Sequence, residues 1–182
     1  AYEIYQCDWS SDVCSSDLPR VTGVSDTPSR RRVFTCRPLS KDDEAACAST
    51  ILTRLATQAF RRPVSEKDRD RLLAFYARGR KDRNFEYGIT KAVEAILASP
   101  QFLFRVEATP AKVTTASYRL GDFELASRLS FFLWGRGPDA ELLKAATVGG
   151  LSTPAGLRTQ VTRMLAAPDA DALATRFRSE EH

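Results

Sequence analysis

Histidine is almost absent from this sequence, because the chain of 182 residues has one and it is the last, His182. Residues 19–177 therefore hold no Ser-His-Asp or Cys-His catalytic set, no histidine-based zinc site and no C-x-x-C-H haem attachment motif. Only Cys36 and Cys47 lie in that range, and two cysteines alone cannot complete a structural zinc site, which needs four ligands. We therefore identify no catalytic, cofactor-binding or metal-binding residue in the sequence.

Long apolar runs are missing as well. The longest candidate is LSFFLW at 129–134, whereas a helix that crosses a membrane needs roughly 18 apolar residues. The sequence therefore predicts no membrane span.

Two motifs have catalytic counterparts in other proteins but are better explained by helix structure. Glu66 and Asp70 are four residues apart on a predicted helix, but three basic residues alternate with them, so the carboxylates are expected to neutralise cations and the helix dipole. GRGPDA at 135–140 fits G-x-G-x-x-A, yet a dinucleotide site needs a strand before the glycines. A helix is predicted there, so we expect a turn between helices.

The two ends of the chain resemble translated sequencing-library adapter. CDWSSDVCSSDL at 7–18 fits the codons at the end of a common short-read adapter, and RSEEH at 178–182 fits the reverse complement of the same oligonucleotide. Such segments do not belong in an argument about fold. We therefore expect residues 1–18 and 178–182 to be adapter translation and the natural sequence to be a fragment running from Pro19 to Phe177.

The charge of the chain is more basic once these ends are set aside. The whole sequence has a net charge of +4, whereas residues 19–177 contain 26 basic and 17 acidic side chains and carry +9. Basic runs occur at 29–32, 60–63 and 78–83 and would be the phosphate contacts of a basic helical nucleic-acid-binding module. Aromatic residues lie on the apolar stripes rather than between these arginines, so we expect solvated faces and consider nucleic acid an unlikely partner.

Helical periodicity dominates the chain from residue 42 onwards. Cys47, Ile51, Leu55 and Ala59 repeat on one face of the first long helix, and Ser65 with Asp68 predicts a capping box for the next. Phe131, Phe132 and Trp134 are expected to lie in a core rather than to line a ligand pocket. The predicted helices are 42–60, 65–80, 85–99, 122–134, 138–146, 154–167 and one beginning near 169, with a short turn or helix at 100–107.

These patterns predict an all-α protein with two helical parts. An extended N-terminal arm is expected at 19–41, with at most a short strand at RRVFT, followed by a small helical bundle at 42–107. Residues 108–117 are small, polar and aperiodic, which indicates a linker. Residues 118–177 then form the N-terminal part of a second helical domain.

Cys36 and Cys47 allow two interpretations. A disulfide between them would attach the arm to the bundle, and such bridges persist in oxidising compartments. Two buried free thiols are equally consistent with the residues, because cysteine packs well as a small apolar side chain. The residues alone favour neither.

Several separate motifs resemble one family of bacterial proteins. TPSRRRVFTCRP, DEAACASTILTRLATQAFRRPVSEKD and AVEAILASPQFLFRVE are similar to the domain of unknown function 1595. YRLGDFELASRLSFFLWGRGPDAELLKAA and LRTQVTRMLAAPDADAL resemble the start of domain of unknown function 1592. Both belong to the planctomycete-type, cytochrome c associated multidomain proteins.

The resemblance implies a periplasmic or secreted protein whose signal peptide lies upstream, with a c-type haem in a further upstream domain and none in this part. It also implies that Cys36 and Cys47 pair as a disulfide, and it carries over no catalytic residue. The expected role is structural or interaction within a redox-linked protein. The expected partners are other domains of the same chain and an electron-transfer or polysaccharide partner. The alternatives are a non-catalytic portion of an enzyme acting on polysaccharide and the nucleic-acid module described above.

Overall fold

The computed structural model describes residues 27–105, 107 and 118–179, with side chains described as far as residue 176. Every regular element in these ranges is helical, which confirms the predicted all-α class. The α-helices are α1 (Pro28–Val33), α2 (Lys41–Phe60), α3 (Glu66–Asp82), α4 (Phe85–Leu97), α5 (Pro100–Leu103), α6 (Asp122–Leu133), α7 (Ala140–Thr147), α8 (Pro154–Leu165) and α9 (Asp171–Ser179). Short 3₁₀ turns occupy Gly150–Ser152 and Pro168–Ala170.

The segment before α2 differs from the sequence prediction, because the short strand expected at RRVFT is wrong. Residues 28–33 form α1 instead, since the Thr27 side chain accepts a hydrogen bond from the Arg30 amide at 3.2 Å and Pro28 occupies the first turn. That combination starts a helix and overrides the extended preference of Val33 and Phe34. α1 belongs to a compact unit that ends at Phe34, and the other helices belong to a second unit. Residues 34–40 of the predicted arm form neither helix nor strand. Residues 19–26 of that arm and the predicted linker at 108–117 lie outside the described residues.

Side-chain caps fix the starts of the longer helices. The capping box predicted for α3 is confirmed, with Ser65 and Asp68 each bonding the other's backbone amide. Ser40 caps α2 and Asn84 caps α4 through their side-chain oxygens. Thr153 caps α8 ahead of Pro154, also as predicted. These caps satisfy amides that a helix leaves without intrahelical partners.

Helices α2, α3 and α4 pack together, with α5 against α2 and α4, and form the N-terminal helical group. The buried face of α2 differs from the predicted stripe, because Ala48, Leu52 and Ala56 are buried whereas Leu55 and Ala59 are partly exposed. The face is rotated and widened because three helices contact α2 rather than one. The buried residues of α2, α3 and α4 are Cys47, Ala48, Ile51, Leu52, Ala56, Phe60, Leu72, Tyr76, Gly79, Gly88, Ile89, Ala92 and Ile96.

Helices α6 to α9 form the C-terminal helical group around their own core. That core contains Ala126, Leu133, Trp134, Leu142, Ala146, Leu151 and Met164. The prediction that Phe131, Phe132 and Trp134 lie in the core is confirmed for Trp134, which is 5% exposed, and wrong for Phe132, which is 54% exposed. Phe132 continues the apolar pattern of α6, but it lies outside the face of α6 that the other helices of the C-terminal helical group bury.

Close packing of α3 on α4 depends on Gly88. A Cβ atom at this position would lie 2.7 Å from Cδ2 of Tyr76 and 2.8 Å from the Tyr76 carbonyl oxygen. We expect Gly88→Ala to lower the free energy of unfolding by about 1–3 kcal/mol through this clash, although alanine favours an isolated helix by about 1 kcal/mol. Urea unfolding followed by circular dichroism measures the change.

Gly137→Ala is the matched control for this substitution. Its added Cβ would meet only Cγ of Arg61, at 3.9 Å, so a change within about 0.5 kcal/mol is expected. A stabilised Gly88→Ala protein would show that helix propensity outweighs packing at this contact.

Candidate functional site: the disulfide and the groove between α5 and α6

Cys36 and Cys47 are joined by a disulfide, and their Cα atoms are 5.9 Å apart. This spacing lies within the usual range for a disulfide. Cys47 lies on the buried face of α2 and is 8% exposed, whereas Cys36 is partly exposed in the segment that precedes the helix. The bond therefore attaches that segment covalently to the core of the N-terminal helical group.

Many arginines of the basic runs have partners within the chain. Arg62 pairs with Asp68 at 2.9 Å, Arg80 pairs with Glu44, Arg78 stacks over Phe75 and Arg83 stacks over Tyr87. These contacts occupy the guanidinium groups that a nucleic-acid surface would need to direct at phosphates. The two carboxylates considered for acid–base chemistry are both exposed, and Asp70 lies 3.7 Å from Nε of Arg69.

A bidentate ion pair joins α2 to α3. Arg80 donates from Nε to Oε2 of Glu44 at 2.5 Å and from Nη2 to Oε1 at 3.0 Å, and the Tyr76 hydroxyl donates to the same carboxylate at 3.4 Å. The hydrogen bonds and charge of Arg80 lower the pKa of the Glu44 carboxyl, and the same hydrogen bonds raise the pKa of Arg80. The ionised form of Glu44 is therefore favoured in the folded protein.

Acid is expected to weaken this link between the helices. Because the folded pKa of Glu44 lies below its unfolded value of about 4.3, its contribution to stability is present above the unfolded pKa and is lost as the pH falls through the folded pKa. Unfolding free energies measured between neutral and acidic pH should therefore fall less steeply for Arg80→Gln than for the unchanged chain. Parallel pH profiles would contradict a stabilising role for the pair.

A groove of about 700 Å³ lies between α5 and α6. Its cationic walls come from Arg61, Arg62, Arg105 and Arg128, and its apolar walls include Phe60, Phe104 and Phe123. We call it the α5–α6 groove. Its volume falls within the range of ligand pockets.

Arg61 anchors one side of the groove. It ends α2 in the left-handed conformation, with φ of 59°, which is uncommon for a residue with a side chain. Its Nη2 donates to the carbonyl oxygens of Gln101 at 2.7 Å and Phe104 at 2.8 Å, and Nη1 donates to that of Ala59 at 3.1 Å. Arg61 thereby fixes the end of α5 against the end of α2.

A polar network surrounds this anchor. Asp68 accepts hydrogen bonds from Ser65, from Nη2 of Arg62 and from the Gln101 amide, and Arg62 also donates to Gln101 at 2.7 Å. Burial opposes ionisation of Asp68, but the hydrogen bonds outweigh it and lower the pKa of this carboxyl. The network holds the groove wall between α3 and α5 in one arrangement.

The opposite wall combines arginine with an aromatic ring. The Arg105 guanidinium lies over the Phe131 ring of α6, 4.6 Å from its centroid, and Arg61 lies 6.0 Å from the same centroid. Arg128, one turn before Phe131, forms a bidentate pair with Glu107 at 3.0 and 2.6 Å. A guanidinium stacked on a ring keeps its in-plane N–H groups for other acceptors. Sequence patterns did not identify these residues as a group.

Side chains that could hold a metal ion are not grouped together in the part of the chain that the structure describes. No group of three Cys, His, Asp or Glu side chains converges among them, and both described cysteines are used in the disulfide. None of the described helices has the length and apolar character needed to cross a membrane.

Comparison with known families divides the chain into two parts. Residues 47–107 match the family model described as Protein of unknown function (DUF1595), and residues 120–180 match the one described as Protein of unknown function (DUF1592). No curated protein and no solved structure matches the chain. The first match covers most of the N-terminal helical group and the second begins just before α6. The two matches lie in the order expected from the sequence, DUF1595 followed by DUF1592.

Proposed function

We propose that this chain is the structural and interaction part of an extracytoplasmic multidomain protein associated with c-type cytochrome modules. The disulfide between Cys36 and Cys47 is the observation that carries the proposal. Disulfides of this kind persist in oxidising compartments such as the bacterial periplasm and are rare in the cytosol. The resemblance of the sequence to cytochrome c associated proteins supports the redox link.

A haem does not fit the described residues. Covalent attachment needs two free cysteines and a histidine, whereas the described cysteines are bonded to each other and the described ranges contain no histidine. Met164, the one methionine, is fully buried in the C-terminal core. In this proposal, any haem belongs to another domain, and residues 27–177 hold or orient that domain.

An export reporter tests the compartment. The parent gene, cut after the codon for residue 177, is fused either to alkaline phosphatase, which is active only after export, or to a fluorescent protein that matures only in the cytoplasm. High phosphatase activity without fluorescence is expected. The reverse pattern would place the protein in the cytoplasm and remove the physical basis of the proposal.

Cross-linking of the parent protein tests the interaction role. Lys41, Lys67, Lys81, Lys91 and Lys144 are distributed over both helical groups, so a lysine-specific reagent can report neighbours of either. Cross-links from these lysines to domains outside residues 27–177 are expected. If all cross-links stay within the two groups, the chain does not serve as an interaction part.

A further inference from the structure

The α5–α6 groove holds four arginines but has carboxylate partners for only two of them. Arg62 is neutralised by Asp68 at 2.9 Å, and Arg128 is neutralised by Glu107 at 2.6 Å. Because the two charges of each pair cancel, these ion pairs add little positive charge to the groove. The positive charge of the groove therefore comes from Arg61 and Arg105.

Neither of these two arginines contacts a carboxylate among the described residues. Arg61 donates its hydrogen bonds to carbonyl oxygens, which carry no net charge, and Arg105 stacks on Phe131. Burial, and then the nearby charge of Arg105, lower the pKa of Arg61. Two like charges beside one ring repel each other, and an anion placed between them would relieve that repulsion.

Other acidic groups near the groove do not supply that anion. Glu124 lines the groove, but its carboxylate lies against Gly121 at the N-terminus of α6, where the helix dipole favours it. Residues 108–117, which follow Glu107 in the sequence, include Lys112 and no acidic residue. The sequence that joins the two helical groups therefore supplies no carboxylate to neutralise Arg61 and Arg105.

Apolar surface and a hydroxyl group lie next to these cations. Leu103 is 59% exposed and Phe104 is 61% exposed at the end of α5. The Ser127 hydroxyl lines the groove and has no hydrogen-bond partner within the described residues, although it is buried. A buried hydroxyl without a partner is costly, and a ligand acceptor reaching it would recover that cost. The groove thus combines positive charge, apolar contact area and an unused donor.

We propose that the α5–α6 groove binds a carboxylate carried on an apolar polypeptide segment of a partner domain. The two unneutralised guanidinium groups converge on one ring, which suits a single anionic group rather than the repeated phosphates of a nucleic acid. The exposed Phe104 ring, which lines the groove, suits an apolar side chain next to that carboxylate. The inference rests on the proposed interaction role and names the surface and partner chemistry for it.

A pair of matched peptides tests the groove in the full 182-residue chain. The tripeptides acetyl-Phe-Glu-Phe-amide and acetyl-Phe-Gln-Phe-amide differ only in the central carboxylate. Each is titrated while the Nε–Hε resonance of Arg105 and the amide resonances of Phe104 and Phe131 are followed by NMR. Dissociation constants of about 1 mM are expected for so short a ligand, with the Glu peptide binding at least about fivefold more tightly.

Two variants establish where the carboxylate binds. Arg105→Gln should remove the difference between the peptides, whereas Arg158→Gln, the same charge change on the exposed face of α8, should preserve it. Equal binding of both peptides by the unchanged chain, or no shift at Arg105, would overturn the proposal. Tighter binding of trigalacturonate than of the Glu peptide would also overturn it, in favour of a carbohydrate ligand. Cross-links to partner domains together with either failure would leave the interaction role standing and refute only the groove.

Discussion

Trp134→Ala is expected to lower the free energy of unfolding by about 3–5 kcal/mol, the largest effect of any single substitution considered. The Trp134 ring is 5% exposed, and its Nε1 donates to the Met164 carbonyl oxygen at 2.9 Å. Arg136 and Arg163 lie 5.1 and 5.5 Å from the ring centroid. Truncation would leave a cavity between α6 and α8 and remove the hydrogen bond that joins them.

Two further variants separate these contributions. Trp134→Phe keeps an aromatic ring but loses the N–H donor. We expect loss of the hydrogen bond to lower the free energy of unfolding by about 1 kcal/mol, and the smaller ring to add a smaller loss from packing. Leu165→Ala is the surface control, because Leu165 is 52% exposed on the same helix as Met164. Urea unfolding followed by circular dichroism suits all three variants, because it does not depend on the Trp134 indole that two of them lack. If Trp134→Ala costs no more than Leu165→Ala, the C-terminal core is wrongly described.

Replacing both disulfide cysteines, with Cys36→Ala and Cys47→Ala together, is expected to lower the free energy of unfolding by about 3 kcal/mol in the chain-entropy model. The two residues are 11 positions apart in the sequence, so the bond restricts a short loop in the unfolded chain. Chemical unfolding with and without a reductant measures the effect. The unchanged chain should lose about the same stability when it is reduced.

The double variant provides the control for that comparison. It should unfold at the same denaturant concentration with and without the reductant, because it has no bond between these positions to break. A reductant that leaves the unchanged chain as stable as before would show that the disulfide does not restrain the fold.

Local signals predicted much of the helical framework. Ser65 with Asp68, and Thr153 with Pro154, marked the starts of α3 and α8 because a cap acts within one turn of its own residue. The start of α1 had a similar signal in Thr27 and Pro28, but the β-branched and aromatic residues that follow suggested a strand. A cap with proline in the first turn was the stronger determinant there.

Sequence patterns could not predict the α5–α6 groove, because its contacts join residues that are far apart in the sequence. Arg61 reaches carbonyl oxygens of Gln101 and Phe104, about forty residues later in the chain. Only the packing of α5 against α2 brings them together. The prediction that Phe132 lies in the core was wrong for a related reason. An apolar stripe on a helix shows which residues are able to pack, but it does not show which of them a neighbouring helix covers.

Mapping the cysteines in the parent protein, isolated from its source cells under non-reducing conditions, tests the central claim most directly. The native protein is alkylated with iodoacetamide, digested with trypsin and analysed by mass spectrometry. Cleavage after Lys41 separates the peptide of residues 33–41, which contains Cys36, from that of residues 42–54, which contains Cys47. Recovery of the two as one linked species without alkylation is the predicted result. Two separate alkylated peptides would contradict the disulfide and, with it, the proposal of an extracytoplasmic interaction part.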